Sequence, residues 1–156
     1  MNKSGFTLIE FLIVVSILGI MSVAGISTFT SSLQRSRDAR RKADAGSLQK
    51  GLELFYSDQN AYPTSGPTAS STTLCANGFT TSASCTSPIY IQNLPKDPNG
   101  SVYYYATDAT GSYYKIYTAI ERSDDSGTGV NQSGYATTSC NGSLCKYGVT
   151  STNTTP

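Results

Sequence analysis

The chain has 156 residues, 11 Lys or Arg against 10 Asp or Glu, a formal net charge of +1, four cysteines and no histidine. That length fits one small domain plus an extra segment. Near-neutral charge argues against a chain built to bind nucleic acid or an acidic partner, and the lack of histidine removes the commonest general base.

Residues 1–5 form a short polar leader carrying one lysine, Lys3. Residues 6–26 are apolar, except that Glu10 stands near their start, and no further charge appears until Arg35. Such a run is about one bilayer crossing at 1.5 Å per residue. A carboxylate inside it is costly, which marks Glu10 as functional. Ordinary secretory signals place the small cleavage residue after the apolar core. Here Gly5 precedes it, so cleavage there leaves the apolar segment on the mature chain as an anchor. Gly19, Ser22 and Gly25 are spaced three apart and permit close helix approach.

No proline occurs before Pro63. Residues 35–56 are rich in helix formers, and Ala45, Leu48, Leu52 and Phe55 recur at spacings of three and four. The pattern predicts one helix over 7–56, its first half suited to lipid and its second amphipathic. Residues 63–87 are Ser/Thr-rich and read as a loop. Leu94-Pro95-Lys96-Asp97-Pro98-Asn99-Gly100 is dense turn chemistry. Residues 102–106 and 113–120 are aromatic, β-prone runs separated by a Gly111-containing turn, which predicts an antiparallel hairpin. Its natural cover is the apolar stripe of the helix. From Glu121 the chain is polar, with room for one more strand and a disordered tail over 150–156. The fold class is therefore α+β: one long N-terminal helix packed on a small antiparallel sheet.

Cys75, Cys85, Cys140 and Cys145 are an even set in an exported, Ser/Thr-rich chain and predict two disulfides. Three pairings are possible, and the local one, Cys75–Cys85 with Cys140–Cys145, is preferred.

The segment Gly5-Phe6-Thr7-Leu8-Ile9-Glu10 and the uncharged run after it resemble the cleavage and methylation site of type IV prepilins and type II secretion pseudopilins. Residues 52–63 and 94–100 are similar to the major, G-type pseudopilin. The resemblance implies a pilin-like fold with residues 1–5 as the prepilin leader. Residues 6–30 would be the transmembrane and filament-core helix, and 31–156 the head. The head would comprise a helical part (31–57), a disulfide loop (63–93) and a β-hairpin (101–120). It further implies that a prepilin peptidase cuts between Gly5 and Phe6 and N-methylates Phe6. Glu10 would then pair with the N-terminal amine of a neighbouring subunit. The implied partners are copies of the chain itself, the peptidase, an assembly platform with its ATPase motor, and the inner membrane before assembly. In the membrane the chain would be single-pass with the leader cytoplasmic. After assembly it would form a surface or periplasmic filament.

On this reading the chain is a structural subunit of a type IV pilus-like filament, for adhesion, motility or DNA uptake. The first alternative is the major pseudopilin of a type II secretion system. The second is a membrane-anchored binding protein that never polymerises. An enzyme is not expected, because no phosphate loop, histidine dyad, metal cluster or nucleophile elbow is present.

Three features remain open in the sequence. Arg35, Arg37, Arg40, Arg41 and Lys42 crowd beyond the anchor, which a plain positive-inside count would place in the cytoplasm. The prepilin orientation requires the reverse, and the cysteines support it. The first expectation for this run is a solvated helix face, with acids of neighbouring subunits, lipid head groups or DNA as alternatives. Asp124 and Asp125 lie in an acidic turn where major pseudopilins carry a calcium loop, so calcium is the one cofactor weighed, against a solvated turn. The chain's 11 tyrosines, six of them between Tyr103 and Tyr117, are expected as half-buried sheet faces rather than an adhesive surface.

Overall fold

A computed structural model describes residues 5–135 and 137–154, with the side chains of 24–27 left undescribed. The leader before Gly5, the third member of the Gly19–Ser22–Gly25 series and the last two tail residues therefore lie outside the described set. The chain divides into two compact units, residues 1–36 and 37–156. One helix, α1 (Leu8–Gln59), is common to both.

Among the described residues of the first unit, the large apolar side chains face outward. Leu8, Ile9, Phe11, Leu12, Ile20, Met21 and Val23 are all exposed. By length and composition this stretch of α1 can cross a membrane. Two of its hydroxyls are satisfied within the helix: Ser16 donates to the Ile13 carbonyl at 2.8 Å and Ser22 to the Leu18 carbonyl at 2.7 Å. A lipid-facing segment needs this internal satisfaction, since no water is available there.

The second unit has its own core. Ala45, Leu48, Leu52 and Phe55 are buried as their spacing predicts, together with Tyr62, Leu74, Tyr103, Tyr114 and Ile116. Each such leucine contributes about 1.5–3 kcal/mol by leaving water. Gly51 lies on the same face, where an added Cβ would collide with the Ile91 side chain. Glycine costs about 1 kcal/mol in a helix interior, and here it lets strand and helix approach. Asn60, with φ 55°, ends the helix as a left-handed cap, its N–H bonding the Tyr56 carbonyl at 2.8 Å.

The predicted hairpin is present as β4 (Tyr104–Thr107) and β5 (Tyr114–Thr118), with Tyr104 opposite Tyr117 and Thr107 opposite Tyr114. At its turn Asp108 accepts from Thr110 Oγ1, Ser112 N and Ser112 Oγ. These donors hold the Asp108 carboxyl down at about 2. Gly111, at φ 66°, lets the turn touch the chain after α1, and its carbonyl accepts from Tyr62 N at 2.7 Å.

Two expectations need correction. Residues 63–93 are more than a loop. They carry β1 (Thr73–Cys75), β2 (Gly78–Thr80) and β3 (Ile89–Ile91), which form a three-stranded antiparallel sheet with β1 central. These strands are three residues long, too short for periodicity to register. The C-terminal part is also more ordered than its polarity suggests. β6 (Ser139–Cys140) and β7 (Ser143–Leu144) form a small hairpin, and β8 (Tyr147–Thr150) adds to β5 as the third strand of the main sheet. The expected disorder at residue 150 is wrong. Ser151 is buried, and its N–H bonds the Tyr114 carbonyl at 3.2 Å.

Candidate functional site

Gly5 and Phe6 precede the helix, and Phe6 is 75% exposed. Thr7 caps the first turn. Its N–H and hydroxyl both donate to Glu10 Oε2, at 2.9 and 2.6 Å, and the Glu10 N–H reaches Thr7 Oγ1 at 3.4 Å. This is a reciprocal capping box, in which Thr and Glu three apart satisfy each other's orphan donors. It places an acid in the first turn, where the helix dipole favours one. The cleavage and pairing residues named from the sequence thus adjoin one another at an exposed helix start. The sequence reading missed Thr7, although the Thr-x-x-Glu spacing was a readable signal.

A second constellation lies in the head and was not anticipated. Arg41 is 2% exposed, so it is no solvated helix face. Its Nε and Nη2 fork onto Asp97 at 2.7 and 3.3 Å, and its Nη1 reaches Asp38 and Glu121, both at 2.9 Å. Asp38 also accepts the backbone N–H groups of Glu121 and Arg122 at 3.0 and 3.2 Å. Arg37 completes the group, with Nε and Nη2 at 2.8 and 2.5 Å from Glu121.

One guanidinium therefore ties α1 to the 94–100 turn and to the segment after β5. The turn is shaped for this: Asp97 Oδ1 accepts from Asn99 N at 2.9 Å, while the Asp97 carbonyl accepts from Gly100 N at 2.7 Å. Burial opposes the charge on Arg41, but hydrogen bonds to Asp97 and Glu121 outweigh it and raise its pKa. The hydrogen bond from Arg37, helped by Arg41 and opposed by burial, holds the Glu121 carboxyl at about 2. Among the described residues no buried side-chain nitrogen or oxygen lacks a partner, as a buried charge cluster requires. The i, i+3 pair Asp38–Arg41 was a legible hint, whereas nothing in the sequence ties Glu121 to it.

Several tyrosines are core residues rather than half-buried sheet faces: Tyr62, Tyr103 and Tyr114 are buried, and Tyr62 and Tyr103 lie outside the strands. Tyr62 and Tyr114 both donate to Glu53 at 3.0 Å, and Tyr103 donates to Asp44 at 2.7 Å. Burial first, then the neighbouring carboxylate, pushes all three phenols up. The disulfides take the local pairing, Cys75–Cys85 and Cys140–Cys145.

Asp124 and Asp125 point to different cations. Asp124 takes Arg122 Nε and Nη2 at 3.0 and 2.9 Å, and Asp125 takes Lys42 Nζ at 2.7 Å. Among the described residues, no three acidic, cysteine or histidine side chains gather as metal ligands.

Residues 28–133 match the family model for type II secretion system (T2SS), protein G. The chain belongs to the type II secretion system protein G family. Residues 1–26 match the prokaryotic N-terminal methylation motif, which covers Gly5, Phe6 and Glu10. The type II secretion system core protein G of Pseudomonas aeruginosa is 28% identical over 117 residues, covering 75% of this chain and 82% of that protein. The core protein G of Vibrio cholerae is 26% identical, covering 82% of this chain and 87% of that one. The type IV major pilin protein PilA of Myxococcus xanthus is 36% identical over 61 residues, covering 39% of this chain and 28% of that one. No solved structure matches the chain. The chain is thus a pilin-like, pseudopilin-type subunit. The protein G match and its core protein G relatives favour the secretion alternative over the surface-pilus reading that the sequence placed first.

Proposed function

We propose that this protein is the major structural subunit of a type II secretion pseudopilus, without catalytic activity of its own. The observation that carries the reading is the protein G match over 28–133, which takes in the whole Arg41–Asp38–Asp97–Glu121 cluster. In this function a prepilin peptidase hydrolyses the Gly5–Phe6 amide and methylates the new Phe6 amine. Residues 6–30 anchor the monomer in the cytoplasmic membrane, leader inside, and then pack against copies of themselves as the filament core. An assembly platform with its motor would drive that transfer.

Glu10 gives the transfer its register. A lone carboxylate in lipid costs about 2.5–3.5 kcal/mol on insertion scales. The amine of an adjacent subunit offsets part of that cost, but only at the correct axial offset, as buried polar groups do in coiled coils.

The test is deletion of the gene, with assay of exported proteins, together with mass spectrometry of the N-terminal peptide in sheared and membrane fractions. Lost secretion with N-methylated Phe6 confined to membranes is the expected result. Abundant methylated Phe6 in the sheared fraction with secretion intact would instead establish a surface pilus, the reading that the Myxococcus xanthus likeness favours. An uncut leader in both fractions would overturn both readings.

A further inference from the structure

The acidic segment after β5 is where the resemblance implies calcium, and its residues do not fit that ion. Calcium takes six to eight oxygens at about 2.3–2.6 Å, several of them from carboxylates. Here each of the three carboxylates of 121–125 already holds cationic side chains. Glu121 holds Arg37 and Arg41, Asp124 holds Arg122, and Asp125 holds Lys42.

Lys42 is the distinctive member. It comes from α1, its Nζ is 2.7 Å from Asp125 Oδ2 and 5.5 Å from the Tyr147 ring centroid, and it is only one-third exposed. Contact with both a carboxylate and an aromatic face is a built seat for an ammonium ion. The far side of the segment is fastened without charge. The Tyr135 hydroxyl donates to the Gly129 carbonyl and accepts from Gln132 N at 2.9 Å. Gly148 N bonds Gly129 O at 2.9 Å, and Asn131 N bonds Lys146 O at 2.7 Å. These last contacts come from Lys146 and from Gly148 of β8, which follow directly on the Cys140–Cys145 bridge.

We propose that the Lys42 ammonium takes the place of a divalent cation at the 121–130 segment, so that the head folds and holds this segment independently of calcium. The cation is covalently part of α1 and cannot be chelated away. The proposal stands on the head's own geometry and holds for a secretion filament and a surface pilus alike.

The test is thermal unfolding of the full chain in detergent micelles, followed by the near-ultraviolet signal of the head tyrosines, in excess EDTA and in calcium. Calcium at roughly 10 mM exceeds the ~10⁻⁴–10⁻³ M affinities of extracellular calcium modules. A site filled to about 100 times its Kd would raise Tm by about 5–10 °C. The expected shift is under about 1 °C. Lys42→Ala should lower Tm by about 3 °C and speed tryptic cleavage after Arg122, equally in calcium and in EDTA. Lys42→Arg should keep most of the protection.

A calcium-dependent rise of several degrees in the wild-type chain, or a Lys42→Ala chain whose segment is no more accessible than before, would overturn the proposal. If Lys42→Ala does not fold, the wild-type and Lys42→Arg chains in calcium and EDTA still decide it.

Discussion

Within α1, the described large apolar side chains of residues 8–23 are exposed, whereas residues 37–59 bury a four-residue stripe under two sheets. The same backbone geometry therefore supports two kinds of stability. The second is complete in a single chain, because core, ion cluster and disulfides lie within 37–156. The first is unfinished until lipid or another subunit supplies the missing surface, since apolar area gains nothing while it stays in water. An exposed apolar stripe on a monomer is thus a requirement for a partner, and under the proposed function that partner changes from bilayer to filament.

That contrast can be broken or sharpened by substitution, with head stability as the common scale. Arg41→Ala leaves Asp38 and Asp97 buried without their cation and should cost about 3–5 kcal/mol, seen as a lower urea midpoint by circular dichroism. Leu52→Ala, at a fully buried position, should cost about 3 kcal/mol in the same assay. The double change Cys75→Ser with Cys85→Ser opens a ten-residue span and should cost about 2 kcal/mol.

A smaller effect is expected in acid. Because the folded Glu121 carboxyl lies at about 2 against an ordinary 4.5, the folded state binds fewer protons there than the unfolded one. Its stabilisation is complete above 4.5 and is lost as pH falls from 4.5 through 2. Glu121→Gln should flatten that part of a stability–pH curve. At the bottom of the scale, Glu10→Ala should change head stability by less than about 0.5 kcal/mol, while leaving cleavage at Gly5 intact and abolishing filament formation. A Glu10→Ala chain that assembles normally would remove the register argument. One that destabilises the head would break the division between the two regions.

Much of this was legible from the residues. The apolar run, the stripe from Ala45 to Phe55 and the Tyr-rich hairpin each carry a periodicity long enough to register, and the local cysteine pairing follows short spacings. What escaped was non-local or too short. Strands β1 to β3 have three residues each, so alternation has no room to appear. Tyr135 lies in the stretch read only as polar, yet it is buried and its hydroxyl reaches the Lys146 carbonyl, a contact that no local pattern predicts. Arg41 was misread for a related reason. A basic run on a helix is normally solvated, and only the folded positions of Asp97 and Glu121, 56 and 80 residues onward, turn one member inward.

Those separations also set a timetable. Arg41 is made early and can meet Asp38 at once, within its own helix turn. Its second carboxylate comes 56 residues later and its third 80 residues later. A chain interrupted before Glu121 would thus carry the guanidinium without one of its three acids, and Asp38 without the two backbone donors that follow. The cluster closes only when some four-fifths of the polypeptide is present. It therefore records synthesis as far as Arg122, and subunits cut short before that point would carry an open cluster and a head more exposed to proteolysis.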